Sequence, residues 1–118
     1  MIIGIGTDII EVNRIKDCLA RHPKFTERVF TDAETAYCFS HAGWAERLAG
    51  RFAAKEAIAK ALGTRLRWRD VEVLPDAAGK PVVHLRNKAA EALGKGRVLV
   101  SISHCRTHAV AYAIVVSD

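Results

Sequence analysis

The sequence predicts an α+β fold, with helices packed on one side of a mainly antiparallel sheet. Helical spacing dominates the first half of the chain, and strand alternation dominates the second. A β-branched, glycine-rich segment opens the chain as a first strand. With 118 residues and no Gly/Ser/Pro linker, repeat or low-complexity stretch, one domain spanning 1–118 is expected.

Residues 2–10 read as that first strand. Val12, Ile15 and Leu19 set an apolar stripe on a helix over 12–20, and Pro23 stands just beyond it. Thr31-Asp32-Ala33-Glu34 has the form of a capping box, in which hydroxyl and carboxylate satisfy free N–H groups, so a helix near 32–40 follows. The longest helical signal covers 44–62, with Leu48, Phe52 and Ala59 as its stripe and Gly63 where a left-handed cap is wanted. Gly50 within it costs about 1 kcal/mol against Ala, which tight packing would offset. Val71–Leu74 and Pro81–Leu85 flank Asp76-Ala77-Ala78-Gly79 in a hairpin pattern. An alanine-rich helix over 87–93 ends at Gly94, and 97–103 and 108–116 alternate as two strands around a turn at 104–107.

Composition narrows the function classes. Half of the residues (50%) are hydrophobic and 26% are charged, the balance of a folded globular protein rather than a disordered one. The net charge of +5 suggests an anionic partner without identifying it. No apolar run approaches the roughly 18 residues that cross a bilayer, so no membrane association is expected. The apolar start, Met1 to Gly6, lacks a basic flank and a small-residue cleavage site, so no secretory signal is expected either. Cys18, Cys38 and Cys105 are odd in number and widely spaced, which predicts free thiols in a reducing, cytoplasmic compartment.

Three residues break the pattern. Asp8 sits in an otherwise apolar strand just after Gly4 and Gly6, and a buried carboxylate needs a partner. It reads either as a strand-end cap for the next helix or as a metal ligand or phosphate-site acid, the glycines letting a ligand approach the backbone. Glu56 lies on the apolar side of the long helix, four residues before Lys60. The two form either a surface pair or a cleft pair, Glu toward a metal and Lys toward an anion. Arg51 and Lys55 form another such pair, for phosphates or for solvation of the helix. His104 closes Val100-Ser101-Ile102-Ser103 at a strand end, as a turn residue or a ligand contact; with His108 it spans a turn, which disfavours a zinc pair.

Basic side chains gather on the first helix and beyond it, at Arg14, Arg21, Lys24 and Arg28, opposed by Asp17 and Glu27. Such a run is a solvated face or a docking surface for an acidic protein. Arg65-Leu66-Arg67-Trp68-Arg69 interleaves basic residues with an aromatic, as nucleic-acid binders do and as alternation on a short strand also does. No helix-turn-helix pattern, zinc-finger spacing or RNA-binding aromatic signature accompanies it.

Four blocks stand in order along the chain. They are Gly4-Ile5-Gly6-Thr7-Asp8-Ile9 with Glu11 and Arg14-Ile15; Arg51-Phe52-Ala53-Ala54-Lys55-Glu56-Ala57 with Lys60-Ala61-Leu62-Gly63-Thr64; Val73, Asp76 and Gly79-Lys80-Pro81; and Val100-Ser101-Ile102-Ser103-His104. Together they resemble the holo-[acyl-carrier-protein] synthase family, the short 4′-phosphopantetheinyl transferases of fatty acid synthesis. The resemblance runs essentially end to end. It implies a 4′-phosphopantetheinyl transferase-like fold and transfer of the 4′-phosphopantetheine of coenzyme A to a serine of apo-acyl carrier protein, leaving adenosine 3′,5′-bisphosphate. It implies that Asp8 and Glu56 bind Mg²⁺, which suits a hard cation that takes carboxylate and phosphate oxygens. By the same resemblance Lys60 stabilises phosphate oxygens, and Arg51 and His104 contact coenzyme A. Arg14, Arg21, Lys24 and Arg28, with Phe25 as an apolar anchor, match a docking surface for the acidic carrier. A cytoplasmic homotrimer with active sites between subunits is implied too.

The chain departs from the family at two places. The family carries a longer glycine-rich stretch after the equivalent of Gly63-Thr64, whereas Arg65-Leu66-Arg67 follows here at once. Cys105-Arg106-Thr107-His108 is an individual version of the terminal turn, and His108 receives no role. Two rival classes follow from the residues alone: a nucleic-acid-binding module, whose binding would survive EDTA, and a catalytically silent oligomerising domain, in which Asp8 and Glu56 serve stability only.

Overall fold

In the structure, a computed structural model that describes every residue from Met1 to Asp118, the first strand is β1 (Ile2–Glu11). Its strict alternation turns Gly4, Gly6, Asp8 and Ile10 inward and leaves Ile3, Ile5, Thr7 and Ile9 exposed. The chain then enters α1 (Val12–Arg21), which buries Val12 and Ile15, and a short α2 (Phe25–Val29). Helix α2 has no periodic signature, because five residues make little more than one turn. Helix α3 (Asp32–Phe39) starts at the expected capping box: Glu34 N donates to Thr31 Oγ1 at 3.2 Å and Thr31 N donates to Glu34 Oε1 at 2.9 Å. Helix α4 (Trp44–Leu62) ends at Gly63, whose φ of 74° is the left-handed cap that glycine adopts without a Cβ clash.

The hairpin forms from β2 (Val71–Pro75) and β3 (Pro81–Leu85), then α5 (Asn87–Leu93), β4 (Arg97–His104) and β5 (His108–Val116) complete the chain. The expected elements hold within one residue at their ends. The short strand that alternation allowed at 65–69 as one of two readings does not form: the segment is an irregular stretch leading into a 3₁₀ turn at Trp68–Asp70. Strands β1, β5 and β4 make a three-stranded antiparallel sheet in that order, while β2 and β3 form a separate two-stranded sheet.

Helix α4 lies across the inner face of the three-stranded sheet, with α1, α3 and β2 packed around it. Their interface is built from small side chains. Ala53, Ala57 and Ala61 of α4 and Ala109, Ala111 and Ala113 of β5 are all buried in one continuous core. Small residues let backbones approach closely and gain dispersion contact that larger chains would hold apart. The closest approach is at β1. A Cβ on Gly4 would stand 1.9 Å from the Ala61 carbonyl oxygen, and one on Gly6 would stand 2.0 Å from that of Ala57. These glycines therefore admit the backbone of α4, not a ligand, which corrects the reading made from the sequence.

The outer face of the same sheet is apolar and open. Ile3, Ile5, Ile9, Leu99 and Tyr112 are all exposed there. No helix is long and apolar enough to cross a membrane.

Candidate active site

Inward alternation on β1 carries Asp8 to the edge of the seam that Gly4 and Gly6 close against α4. There it meets Lys60, whose Nζ stands 3.3 Å from Asp8 Oδ1 and donates to the Thr7 carbonyl at 3.0 Å. Two of the three ammonium protons are thus used, and one remains for another oxygen. Glu56 lies one helical turn before Lys60, half-buried, with no hydrogen bond or ion pair of its own. Between the two alternatives left by the sequence, the surface Glu56–Lys60 pair does not form. Glu56 and Lys60 instead share a cavity of about 610 Å³, bounded on its other side by Thr64 to Trp68 and by Val71.

That opposite wall is fastened by a residue whose role the sequence reading missed. Lys55 is buried; its Nζ lies 2.7 Å from Glu34 Oε1 and donates to the carbonyls of Trp68 at 2.9 Å and Val71 at 2.5 Å. Glu34 is satisfied in turn by Thr31 N and, on its other oxygen, by Val73 N at 2.8 Å. Thr31 Oγ1 extends the chain of bonds to Glu72 Oε2 at 2.6 Å. Burial pushes the Lys55 amine below its ordinary pKa, and the Glu34 carboxylate pulls it back up. The spacing did hold a signal. Lys55 falls on the stripe of Phe52 and Ala59, and a charge on an apolar stripe needs a buried partner.

Arg51 and His104 are not brought to this cavity. Arg51 is 7% exposed; its Nε donates to the Val73 carbonyl at 3.2 Å and its guanidinium lies 4.8 Å over the Tyr37 ring. His104 is exposed at the end of β4, opposite Ala109. Within one chain, then, the expected coenzyme contacts of these two residues are not assembled.

Of the basic residues on and around α1 and α2, Lys24 and Arg28 adjoin the cavity through a groove, whereas Arg14 and Arg21 line a separate depression with Asp17, Cys18 and His22. Arg14, Arg21, Lys24 and Arg28 are exposed. Lys24, Phe25, Arg28 and Val29 line a groove that reaches Trp68, and Trp68 also walls the cavity. Its ring stacks on Phe52 at 5.0 Å, and Phe52 meets Phe25 at 6.3 Å. The Arg-Trp-Arg segment is consequently no flat nucleic-acid platform. Trp68 is occupied with Phe52, and Arg69 donates to the Glu27 carbonyl at 2.8 Å and lies 3.3 Å from Asp32 Oδ1.

The donor set suits a hard cation. No cluster of three or more His, Cys, Asp or Glu gathers within the chain. Asp8 and the unpartnered Glu56 offer carboxylate oxygens alone, the donors of Mg²⁺, which completes its shell with water and phosphate.

Residues 4–113 match the family model of the 4′-phosphopantetheinyl transferase superfamily. The chain belongs to that superfamily. It is 48% identical to the holo-[acyl-carrier-protein] synthase of Clostridium novyi, over 100% of this chain and 90% of that protein. Among solved structures it is similar to the Bacillus anthracis holo-(acyl-carrier-protein) synthase in complex with CoA (3′,5′-ADP), with a TM-score of 0.86, 40% identity and coverage of 100% and 99% of the two chains. It is also similar to the Helicobacter pylori holo-[acyl-carrier-protein] synthase in complex with coenzyme A, with a TM-score of 0.84, 28% identity and coverage of 95% and 99%. The fold is that of the 4′-phosphopantetheinyl transferases, and the chain is an enzyme of the holo-[acyl-carrier-protein] synthase class.

Proposed function

We propose that this chain moves 4′-phosphopantetheine from coenzyme A to a serine of an acyl carrier protein. The serine oxygen bonds to the phosphorus next to the pantetheine and its proton passes to water; the diphosphate P–O bond breaks, and its electron pair leaves with adenosine 3′,5′-bisphosphate. The observation that carries the reading is a cavity lined by Glu56 and Lys60, with Asp8 paired to that lysine, in a chain whose relatives are named as synthases of that kind. Lys60, fixed by Asp8 and the Thr7 carbonyl, directs its remaining N–H at a phosphate oxygen and steadies developing charge. Asp8 and Glu56 would hold Mg²⁺, which when bound neutralises charge on the phosphoryl group under attack. The whole of residues 1–118 serves as the one catalytic domain.

The partner surfaces belong to the same proposal. The acidic carrier docks on Arg14, Arg21, Lys24 and Arg28, with Phe25 in the groove that leads to the cavity. The exposed isoleucines of β1, with Leu99 and Tyr112, are the face on which three copies associate. Arg51 and His104 would serve the coenzyme only from a neighbouring copy in that trimer. The setting is cytoplasmic, in fatty acid synthesis.

Mass spectrometry of the carrier tests the reading. Incubation of the chain with coenzyme A, Mg²⁺ and apo-acyl carrier protein should add one phosphopantetheine group. The gain should vanish with EDTA and in Asp8→Ala and Glu56→Ala. No gain with several carriers would refute the reading, and activity that survives both EDTA and the two variants would refute the site.

A further inference from the structure

Arg65-Leu66-Arg67 is a sequence feature that the transferase reading leaves unused. The structure sorts its residues by direction. Leu66 and Trp68 turn inward and pack against the core, so Arg65 and Arg67 stay exposed and line the cavity beside Glu56 and Lys60. Neither arginine makes a hydrogen bond or an ion pair within the chain, whereas Arg51, Arg69 and Arg86 all do.

The segment that carries them is short and pinned at both ends. Thr64 N donates to the Ala59 carbonyl at 3.3 Å, within the cap of α4. At the other end the Arg67 carbonyl accepts from Asp70 N at 3.1 Å, and the Trp68 carbonyl accepts from Lys55. Two guanidinium groups on an anchored backbone lose less freedom on meeting a ligand than they would on a free loop. The local charge balance also asks for an anion. Lys60 is offset by Asp8 and Lys55 by Glu34, which leaves Glu56 alone against Arg65 and Arg67. Planar guanidinium forks match phosphate oxygens bidentately, a geometry that lysine does not offer.

We propose that Arg65 and Arg67 form a guanidinium clamp for the phosphates of coenzyme A, a subsite that belongs to the short 64–67 segment of this chain. The clamp rests on the transferase reading above and names residues which hold its substrate. It supplies from side chains what a cation at Asp8 and Glu56 supplies from the other wall.

Isothermal titration of coenzyme A into the full chain, with Mg²⁺ present, tests it. Each arginine–phosphate contact is a charge-assisted hydrogen bond, so Arg65→Gln with Arg67→Gln should weaken coenzyme binding roughly tenfold or more. The variant should also show a shallower fall of affinity with salt. Its melting temperature should stay that of the wild type, since neither side chain bonds within the fold. Lys88→Gln with Lys95→Gln, an exposed pair outside the cavity, should leave affinity unchanged and so control for net charge. Affinity within twofold of wild type in the arginine variant would overturn the clamp. An equal loss in the lysine variant would overturn it as well, by assigning the effect to long-range charge. A wild-type chain that neither binds coenzyme A nor modifies a carrier would instead overturn the transferase reading beneath it.

Discussion

Lys55→Met removes the central donor of the buried network and nearly nothing of its volume. Lys55 Nζ has three N–H groups and three acceptors: Glu34 Oε1, the Trp68 carbonyl and the Val71 carbonyl. Methionine fills the space but donates to none of them. Glu34 keeps Thr31 N and Val73 N, so it is not orphaned as an acceptor, yet its charge stays buried with no cation beside it. Breaking a buried pair from one side costs about 3–5 kcal/mol. Against a total stability on the order of 5–15 kcal/mol for a domain, that is a large fraction. Urea unfolding followed by circular dichroism should show a midpoint lower by roughly 2 M, at an m-value of about 1–3 kcal/mol/M. In a double-mutant cycle, Glu34→Gln should couple to it by about 1 kcal/mol or more. A loss under about 1 kcal/mol for Lys55→Met, with no coupling, would refute the claim that this ion pair holds the cavity wall.

Four further outcomes test other parts of the argument. Gly6→Ala places a Cβ 2.0 Å from the Ala57 carbonyl, a backbone atom that cannot swing aside, so the chain should lose several kcal/mol or fail to fold. Gly79→Ala, with nothing near its Cβ but a φ of 88°, should cost only about 1–2 kcal/mol in the same unfolding assay. Burial pushes the Cys38 thiol from 9.0 up to about 11, so between those values the folded chain keeps a proton that the unfolded chain has lost. Stability should therefore fall as pH rises across that window, by roughly 2–3 kcal/mol at about 1.4 kcal/mol per pH unit. Lys55, lowered by burial, titrates with the opposite sign, and the difference between wild type and Cys38→Ala isolates the thiol. Arg14→Glu with Arg21→Glu should raise the KM for the acyl carrier protein and spare coenzyme A binding by calorimetry; equal loss of both would show that α1 is not the docking face.

Where the sequence was legible, a local rule decided the outcome. The Thr31–Glu34 box, the Gly63 cap and the Asp76–Gly79 turn each act within a few residues, and each forms as expected. Helix α2 and the 3₁₀ turn were illegible because single turns lack a period. The site was half legible, for a related reason. Asp8, Glu56 and Lys60 stand out as polar residues in apolar surroundings, but their partners lie far away in sequence. Lys60 pairs with Asp8 and Lys55 with Glu34, not with neighbours on their own helix. Helical spacing gives the face on which a side chain lies, and only packing decides what stands opposite it.

The two glycines show why the partners stand where they do. Had Gly4 and Gly6 opened space for a ligand, an alanine at either position would have shrunk a site and left the fold intact. Instead they lower β1 onto the backbone of α4 at Ala57 and Ala61, and that approach sets the height at which Asp8 and Lys60 meet. On the far side of α4, Lys55 draws the Trp68 and Val71 carbonyls toward the same helix. The cavity of about 610 Å³ opens between Lys60, which the close-packed seam positions, and a wall fixed by an ion pair, with Glu56 on the helix they share. Shifting the Lys55 wall should therefore change phosphate binding before it touches the reacting groups, whereas shifting the seam moves Asp8 and Lys60 themselves. Among variants that still fold, those at Lys55 should then raise the KM for coenzyme A more than they lower kcat, and those at the seam should lower kcat.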